Sequence, residues 1–162
     1  MANAAAVCTS FKSELLNGHH QFGSPTLNSR TSLTAPTTDI FKCALYLIAG
    51  TIGAATAVYT TSSEVAATGD YAAGGKAFTW TLATSGTTAC ATPSASIVWT
   101  GVTFTGADCC LIYNSTQQSG GVGRAIATYA LGTIGTGQSV TAGNFTLTMP
   151  TNDSSFALLR IA

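Results

Sequence analysis

Short segments of β-forming residues, separated by glycine-rich breaks, constrain the fold of this chain more than any other feature. Residues 78–82 are the clearest example, because Phe78, Trp80 and Leu82 alternate with threonine, as on a strand with one buried face. Further segments of this kind are 40–47, 97–99, 102–104, 110–113, 124–131, 144–149 and 157–161. Many short strands with turn signals between them predict a mainly β fold, an antiparallel β-sandwich of the jelly-roll or immunoglobulin-like kind.

The breaks between these segments carry the residues that turns require. Glycine pairs occur at 74–75 and 120–121, a glycine-rich stretch covers 132–137, and Pro150 opens a polar turn. No long helical pattern alternates with the strands, which argues against a parallel α/β sheet. We expect the core of the sandwich to contain Trp80, Leu82, Leu111, Tyr113, Phe145, Leu147 and Leu159.

The first residues of the chain have the pattern of a helix. Asn3 is a good N-cap residue, Gly18 is a suitable end, and Val7, Phe11 and Leu15 recur on one face. We therefore predict a helix from residue 4 to residue 17. A single short helix is marginal in water, so this one must dock on another surface.

Residues 19–38 read as an extended arm, because serine, threonine, asparagine and proline dominate there. We divide the chain into a helix and arm, residues 1–38, and a sandwich domain, residues 39–162. Two alternatives remain for this N-terminal part: contact with a neighbouring subunit, or a helix packed on its own sandwich with a linker behind it. The predicted contact residues toward a subunit or capsid are Val7, Phe11, Leu15, Phe22, Leu27 and Leu33.

The scarcity of charge points to a surface that neighbours cover. Only 7% of the residues are charged, whereas globular proteins carry about 25%. The formal net charge is zero, with six basic and six acidic residues, and such a surface favours association. The basic residues do not cluster, so we expect no binding of nucleic acid.

The chain has no pattern that predicts insertion into a membrane. The uncharged stretch 43–63 contains Gly50 and Gly53, and its second half is rich in threonine and serine. A spanning helix needs about 20 predominantly apolar residues. The first residues also lack the basic and apolar regions of a signal peptide, so we expect synthesis in the cytoplasm.

The sequence offers no arrangement of residues that predicts catalysis or metal binding. His19 and His20 are adjacent, and we interpret both as surface residues. The five cysteines lack metal-ligand spacing and are expected to be buried free thiols. The carboxylates are interpreted as caps, turn residues and solvated charges; they are Glu14, Asp39, Glu64, Asp70, Asp108 and Asp153. We therefore predict no enzyme activity, no catalytic residue, no cofactor and no metal.

Several segments resemble small structural proteins of tailed bacteriophages. The resemblance lies in residues 7–12 (VCTSFK), 15–20 (LLNGHH), 39–46 (DIFKCALY), 110–114 (CLIYN), 144–150 (NFTLTMP) and 157–162 (ALLRIA). It covers most of the chain, with residues 21–38 as an insertion. These motifs are structural and none is enzymatic.

This resemblance implies a virion component. The leading expectation is a decoration or cement protein that stabilises the capsid exterior by bridging neighbouring capsid subunits. The expected partners are further copies of the chain, in a trimer, and the major capsid protein. The alternative is a neck, tail or fibre component with an adhesive edge. An enzyme such as a small hydrolase is the third class, and it would require two scattered carboxylates to meet in a cleft.

Overall fold

A computed structural model describes residues 2–23 and 38–162 of the chain, and these residues form a mainly β protein. About 50% of the described residues are in strands or β-bridges and 5% are in a helix. In the described parts, the elements are β1 (Ala6–Val7), α1 (Thr9–Leu16), β2 (Phe41–Leu47), β3 (Lys76–Phe78), β4 (Trp80–Ser85), β5 (Thr88–Pro93), β6 (Ile97–Ser119), β7 (Val122–Ala130), β8 (Gln138–Leu147) and β9 (Leu159–Ile161). The prediction of a mainly β fold with a short N-terminal helix is confirmed.

All strand pairs are antiparallel, and the strands form two sheets of unequal size. The large sheet has the order β1-β7-β6-β2-β3, with β8 paired to the first part of the long strand β6. The small sheet has the order β4-β5-β9. Trp80 of the small sheet packs against Phe41 of the large sheet, with ring centroids 5.9 Å apart. The two sheets therefore share one core, as in a β-sandwich.

The alternating segment at 78–82 is divided between the two sheets. β3 ends at Phe78 in the large sheet, and β4 begins at Trp80 in the small sheet. Of the predicted core residues, Leu111, Tyr113, Trp80 and Leu159 are buried, and Phe145 and Leu147 are partly buried against the core. The prediction was wrong for Leu82, which is 55% exposed and lines an open groove beside α1.

β6 is a single bent strand where the sequence predicted three separate segments. Gly101 has a φ of +63°, and the pairing with β8 shifts in register between Trp99 and Val102. A glycine in this left-handed conformation is a usual device for bending a strand. The second part of β6 is buried on both faces from Ala107 to Asn114, as the apolar run at 110–113 predicted.

The helix is shorter than predicted, because the residues before it join the large sheet. Ala6 and Val7 pair with Thr128 and Ala127 of β7, and the helix begins at Thr9 with Cys8 as its N-cap. Asn3 is buried instead of capping the helix. Its side-chain amide donates to Leu47 O at 2.9 Å and to Asp108 Oδ1 at 2.6 Å. These long-range bonds replace the helical turn that the sequence predicted for residues 4–8.

The N-terminal residues are thus built into the body of the protein. Cys8 and Phe11 belong to the same hydrophobic core as the strands. This is the packing of the helix on its own sandwich, which the sequence left as an alternative. The domain boundary after residue 38 stays a prediction, and the part of the arm at 24–37 lies outside the described residues.

Candidate functional site

An open apolar groove lies between α1 and the small sheet. Its volume is about 540 Å³, which is within the range of sites that accept a ligand or a partner side chain. The lining residues come from β1, α1, the segment after the helix and all three strands of the small sheet; they are Val7, Phe11, Lys12, Leu15, Leu16, Phe22, Leu82, Ala89, Cys90, Ala91, Leu159, Arg160 and Ile161.

The groove brings together four of the exposed large hydrophobic side chains of the described residues. Among the described residues, seven large hydrophobic side chains are exposed. Four of them line this groove: Val7, Leu16, Leu82 and Ile161. Leu16 is 89% exposed and Ile161 is 58% exposed. Exposed hydrophobic side chains that are scattered singly are ordinary, whereas these four line one groove.

Charge at the groove has one sign. Lys12 and Arg160 are its charged lining residues, and no carboxylate lines it. The Arg160 guanidinium donates to the backbone carbonyls of Ser154 and Ser155. Within residues 2–23 and 38–162, Lys12 forms no ion pair. The groove therefore presents one free ammonium group beside an apolar floor.

Four of the six predicted contact residues line this groove, with different degrees of exposure. Val7 is exposed, Leu15 and Phe22 are partly buried, and Phe11 is only 5% exposed. Phe11 packs on His20 and Phe22, with ring centroids 5.1 and 6.1 Å away. Phe11 thus forms the floor of the groove. Leu27 and Leu33 lie outside the described residues.

Sequence reasoning missed three exposed residues of the groove. Leu16 lies outside the helical stripe that Leu15 belongs to, Leu82 was placed in the core, and Ile161 was treated only as part of a terminal strand. The signal for Leu82 was available in part, because threonine and alanine surround it in β4. Such a strand provides little apolar area to cover its own leucine.

A buried polar cluster anchors the groove's helix to the large sheet. His20 Nε2 lies 2.9 Å from Glu14 Oε2, and Arg124 Nη1 donates to Glu14 Oε1 at 2.6 Å. Asn114 Nδ2 donates to Asp39 Oδ2 at 2.6 Å and lies 3.2 Å from His20 Nδ1. The interpretation of His20, Glu14 and Asp39 as exposed or solvated side chains was therefore wrong. Long-range partners make their burial possible.

The protonation of His20 follows from these contacts. Asn114 Nδ2 can only donate, so Nδ1 accepts and Nε2 carries the proton that bonds to Glu14. Burial lowers the pKa of His20 below its ordinary value of 6.5, and the hydrogen bond to Glu14 opposes this shift. The imidazole is consequently neutral near pH 7, and both of its nitrogens have partners within the chain.

Two further carboxylates also have structural partners. Glu64 accepts hydrogen bonds from the Tyr59 hydroxyl at 2.5 Å, the Tyr71 hydroxyl at 2.8 Å and the Gly74 amide at 2.7 Å. Asp108 is buried and accepts from Asn3 and from the Gly135 amide at 2.9 Å. These carboxylates hold loops against the sandwich. The interpretation as caps, turn residues and solvated charges did not include the burial of Asp108.

The cysteines and the remaining ionisable groups bear on chemistry as follows. All five cysteines are buried free thiols, and burial raises the pKa of Cys8 and of Cys109 to about 12. Thiols with such pKa values remain protonated and weakly nucleophilic at neutral pH. In the parts of the chain that the structure describes, no three His, Cys, Asp or Glu side chains are placed to hold a metal ion. The same residues include no helix long and apolar enough to span a membrane.

Comparison with known proteins identifies no relative of this chain. No family model matches it, and neither a curated protein nor a solved structure is significantly similar to it. The fold and the groove define a mainly β protein with an apolar contact surface beside its N-terminal helix.

Proposed function

We propose that this chain is a structural subunit of a tailed-bacteriophage particle, and that it acts as a capsid decoration or cement protein. It binds the capsid exterior, bridges neighbouring capsid subunits and works without catalysis. Its proposed partners are further copies of the chain, in a trimer, and the major capsid protein. Two independent lines support this proposal: the resemblance of its motifs to small virion proteins, and the groove.

The groove is the observation that carries the proposal. It gathers four exposed hydrophobic side chains in one place. Only 7% of the residues are charged, so the surface has few charges to oppose association through these side chains. Burying one large apolar side chain stabilises a contact by about 1.5–3 kcal/mol when the burial is complete. Repetition over the many copies of a shell would multiply this stabilisation, which suits a cement protein.

The position of the groove suits a role in assembly. Its helix is fixed to the body by Phe11 and by the cluster around Glu14 and His20. A contact surface that is preformed loses little conformational entropy on binding. The bridging role therefore rests on a rigid surface of the sandwich.

A neck, tail or fibre component is the second candidate. Phe156 favours it, because an aromatic side chain that is 65% exposed in a surface loop could contact a receptor or a glycan. Both candidates are assembly proteins of the same particle, and they differ in where the subunit is bound.

Imaging of phage particles with a labelled subunit tests the proposal. For this test a small tag is added to the C-terminus of the chain, and electron microscopy locates a label that binds the tag on intact particles. The proposal expects the label over the head surface at many regularly spaced positions. A label confined to the neck, the tail or its fibres supports the second candidate and overturns the first. Particles without any label overturn both.

A further inference from the structure

The partner of the groove is suggested by a loop that is fixed to the same small sheet. Side chains on adjacent positions of a strand point to opposite faces, and paired residues share a face. Leu82, Ala91 and Leu159 are paired across the sheet and line the groove. Ala83, Cys90 and Arg160 are paired at the positions next to them, and Cys90 and Arg160 also line the groove. The small sheet therefore contributes residues of both alternations to the groove.

A surface loop, residues 151–156, is hydrogen-bonded to the two edge strands of this sheet. Asn152 Nδ2 donates to Thr81 O at 2.9 Å, and Ser85 Oγ donates to Ser154 Oγ at 3.2 Å. Arg160 holds the loop from below through the carbonyls of Ser154 and Ser155. The loop is thus fixed to β4 and β9, and none of its residues lines the groove.

This loop carries an apolar side chain and a carboxylate in a single turn. Phe156 is 65% exposed, and its backbone amide donates to Asp153 Oδ1 at 2.8 Å. Asp153 also accepts from the Thr151 hydroxyl at 2.8 Å. This hydrogen bond and those from the Ser155 and Phe156 amides hold the pKa of Asp153 below its ordinary value. The carboxylate is therefore ionised at neutral pH, and within the described residues it forms no ion pair.

The loop and the groove are complementary in chemistry. The groove has an apolar floor with the free ammonium group of Lys12 and no carboxylate, and the loop offers an aromatic ring beside a free carboxylate. Of the other exposed large hydrophobics in the described residues, Ile40 adjoins Asp39, which is buried in the polar cluster, and Ile48 has no acidic neighbour in sequence. Among these exposed apolar side chains, Phe156 is thus the one with an unpaired carboxylate, that of Asp153, beside it.

We infer that the groove of one copy receives Phe156 of a second copy, with Asp153 of that copy facing Lys12. The groove and the loop share no residue, so the contact joins unlike surfaces and runs head to tail. Such contacts close into a ring when the rotation between copies permits it. A ring of three copies is the form that agrees with the proposed trimer, and the inference rests on the proposed assembly function.

Sedimentation velocity on the full chain and its variants tests the inference. Leu82→Glu blocks the groove, and Phe156→Ser removes the aromatic ring. The matched control is Ile48→Glu, which introduces the same charge at an exposed hydrophobic outside the groove. The wild type and the control are expected to oligomerise, whereas each of the two variants weakens association by roughly thirtyfold or more, as loss of a central anchor does. Leu16→Glu, on the exposed side of the helix, repeats the groove test if Leu82→Glu does not fold.

Mixing the two variants separates a head-to-tail contact from a symmetric one. The Leu82→Glu chain keeps an intact loop, and the Phe156→Ser chain keeps an intact groove. Together they are expected to form a complex of one copy of each that grows no further. Absence of this complex, or variants that oligomerise like the wild type, overturns the inference. A wild type that is monomeric but still coats particle heads also overturns the inference about a second copy. In that case the capsid protein occupies the groove, and the proposed function is unaffected.

Discussion

Truncation of Phe11 should destabilise the isolated protein, because this side chain holds the helix on its own sandwich. Phe11 is 5% exposed and packs on His20 and Phe22, with centroid distances of 5.1 and 6.1 Å. Phe22 in turn stacks on Phe41 at 4.9 Å. Replacing a buried phenylalanine by alanine costs about 3–5 kcal/mol of folding stability. We expect Phe11→Ala to fall within this range.

The assay is urea unfolding at several protein concentrations, followed by circular dichroism. Leu16→Ala is the matched control, since Leu16 lies on the same helix and is 89% exposed. Exposed substitutions of this kind change stability by at most about 0.5 kcal/mol. A loss below about 1 kcal/mol for Phe11→Ala would refute the packing argument. A loss that appears only at concentrations where the protein is oligomeric would place the helix on a neighbouring subunit instead.

Three further predictions concern His20, two glycines and the five cysteines. Burial lowers the pKa of His20 in the folded protein below 6.5, so in acid the unfolded chain binds a proton more readily than the folded chain does. The neutral imidazole therefore contributes its full stability above pH 6.5, and this contribution is lost as the pH falls from 6.5 through the folded pKa. His20→Gln should flatten that slope in urea unfolding, and an unchanged slope would show that the neutral imidazole contributes nothing. Gly86→Ala should cost about 1–2 kcal/mol for its left-handed conformation alone. Gly75→Ala should cost clearly more, because its Cβ would lie within 1.9 Å of the Cys43 carbonyl oxygen; equal losses in thermal unfolding would contradict this. The five buried thiols should resist iodoacetamide in the native protein and all react after unfolding, and fast native labelling, read by mass spectrometry, would contradict their burial.

The sequence was informative where local pattern decides the structure. Strand 110–113 reads as buried on both faces because every residue in it is apolar, and the structure places it in the centre of the large sheet. β5 was missed, since its residues are small and Pro93 ends it. Its identity as a strand depends on the partners β4 and β9, which local sequence does not specify.

Long-range contacts explain the sequence predictions that were wrong. The alternation at 78–82 identifies which side chains share a face, but the chain changes sheets at Thr79. Leu82 consequently faces the groove instead of the main core. The burial of His20 depends on Asn114, and that of Glu14 on Arg124, each more than ninety positions away along the chain. No spacing within residues 14–20 could have predicted those partners.

The central claim, that the groove is the surface through which this chain assembles on a phage head, is tested most directly by occupancy. Heads that lack the protein are incubated with the wild type, Leu82→Glu or Ile48→Glu, and the bound copies are counted by quantitative gel analysis and electron microscopy. Full decoration is expected from the wild type and from Ile48→Glu, and loss of decoration is expected from Leu82→Glu despite normal circular dichroism. Equal occupancy for all three proteins would contradict the claim.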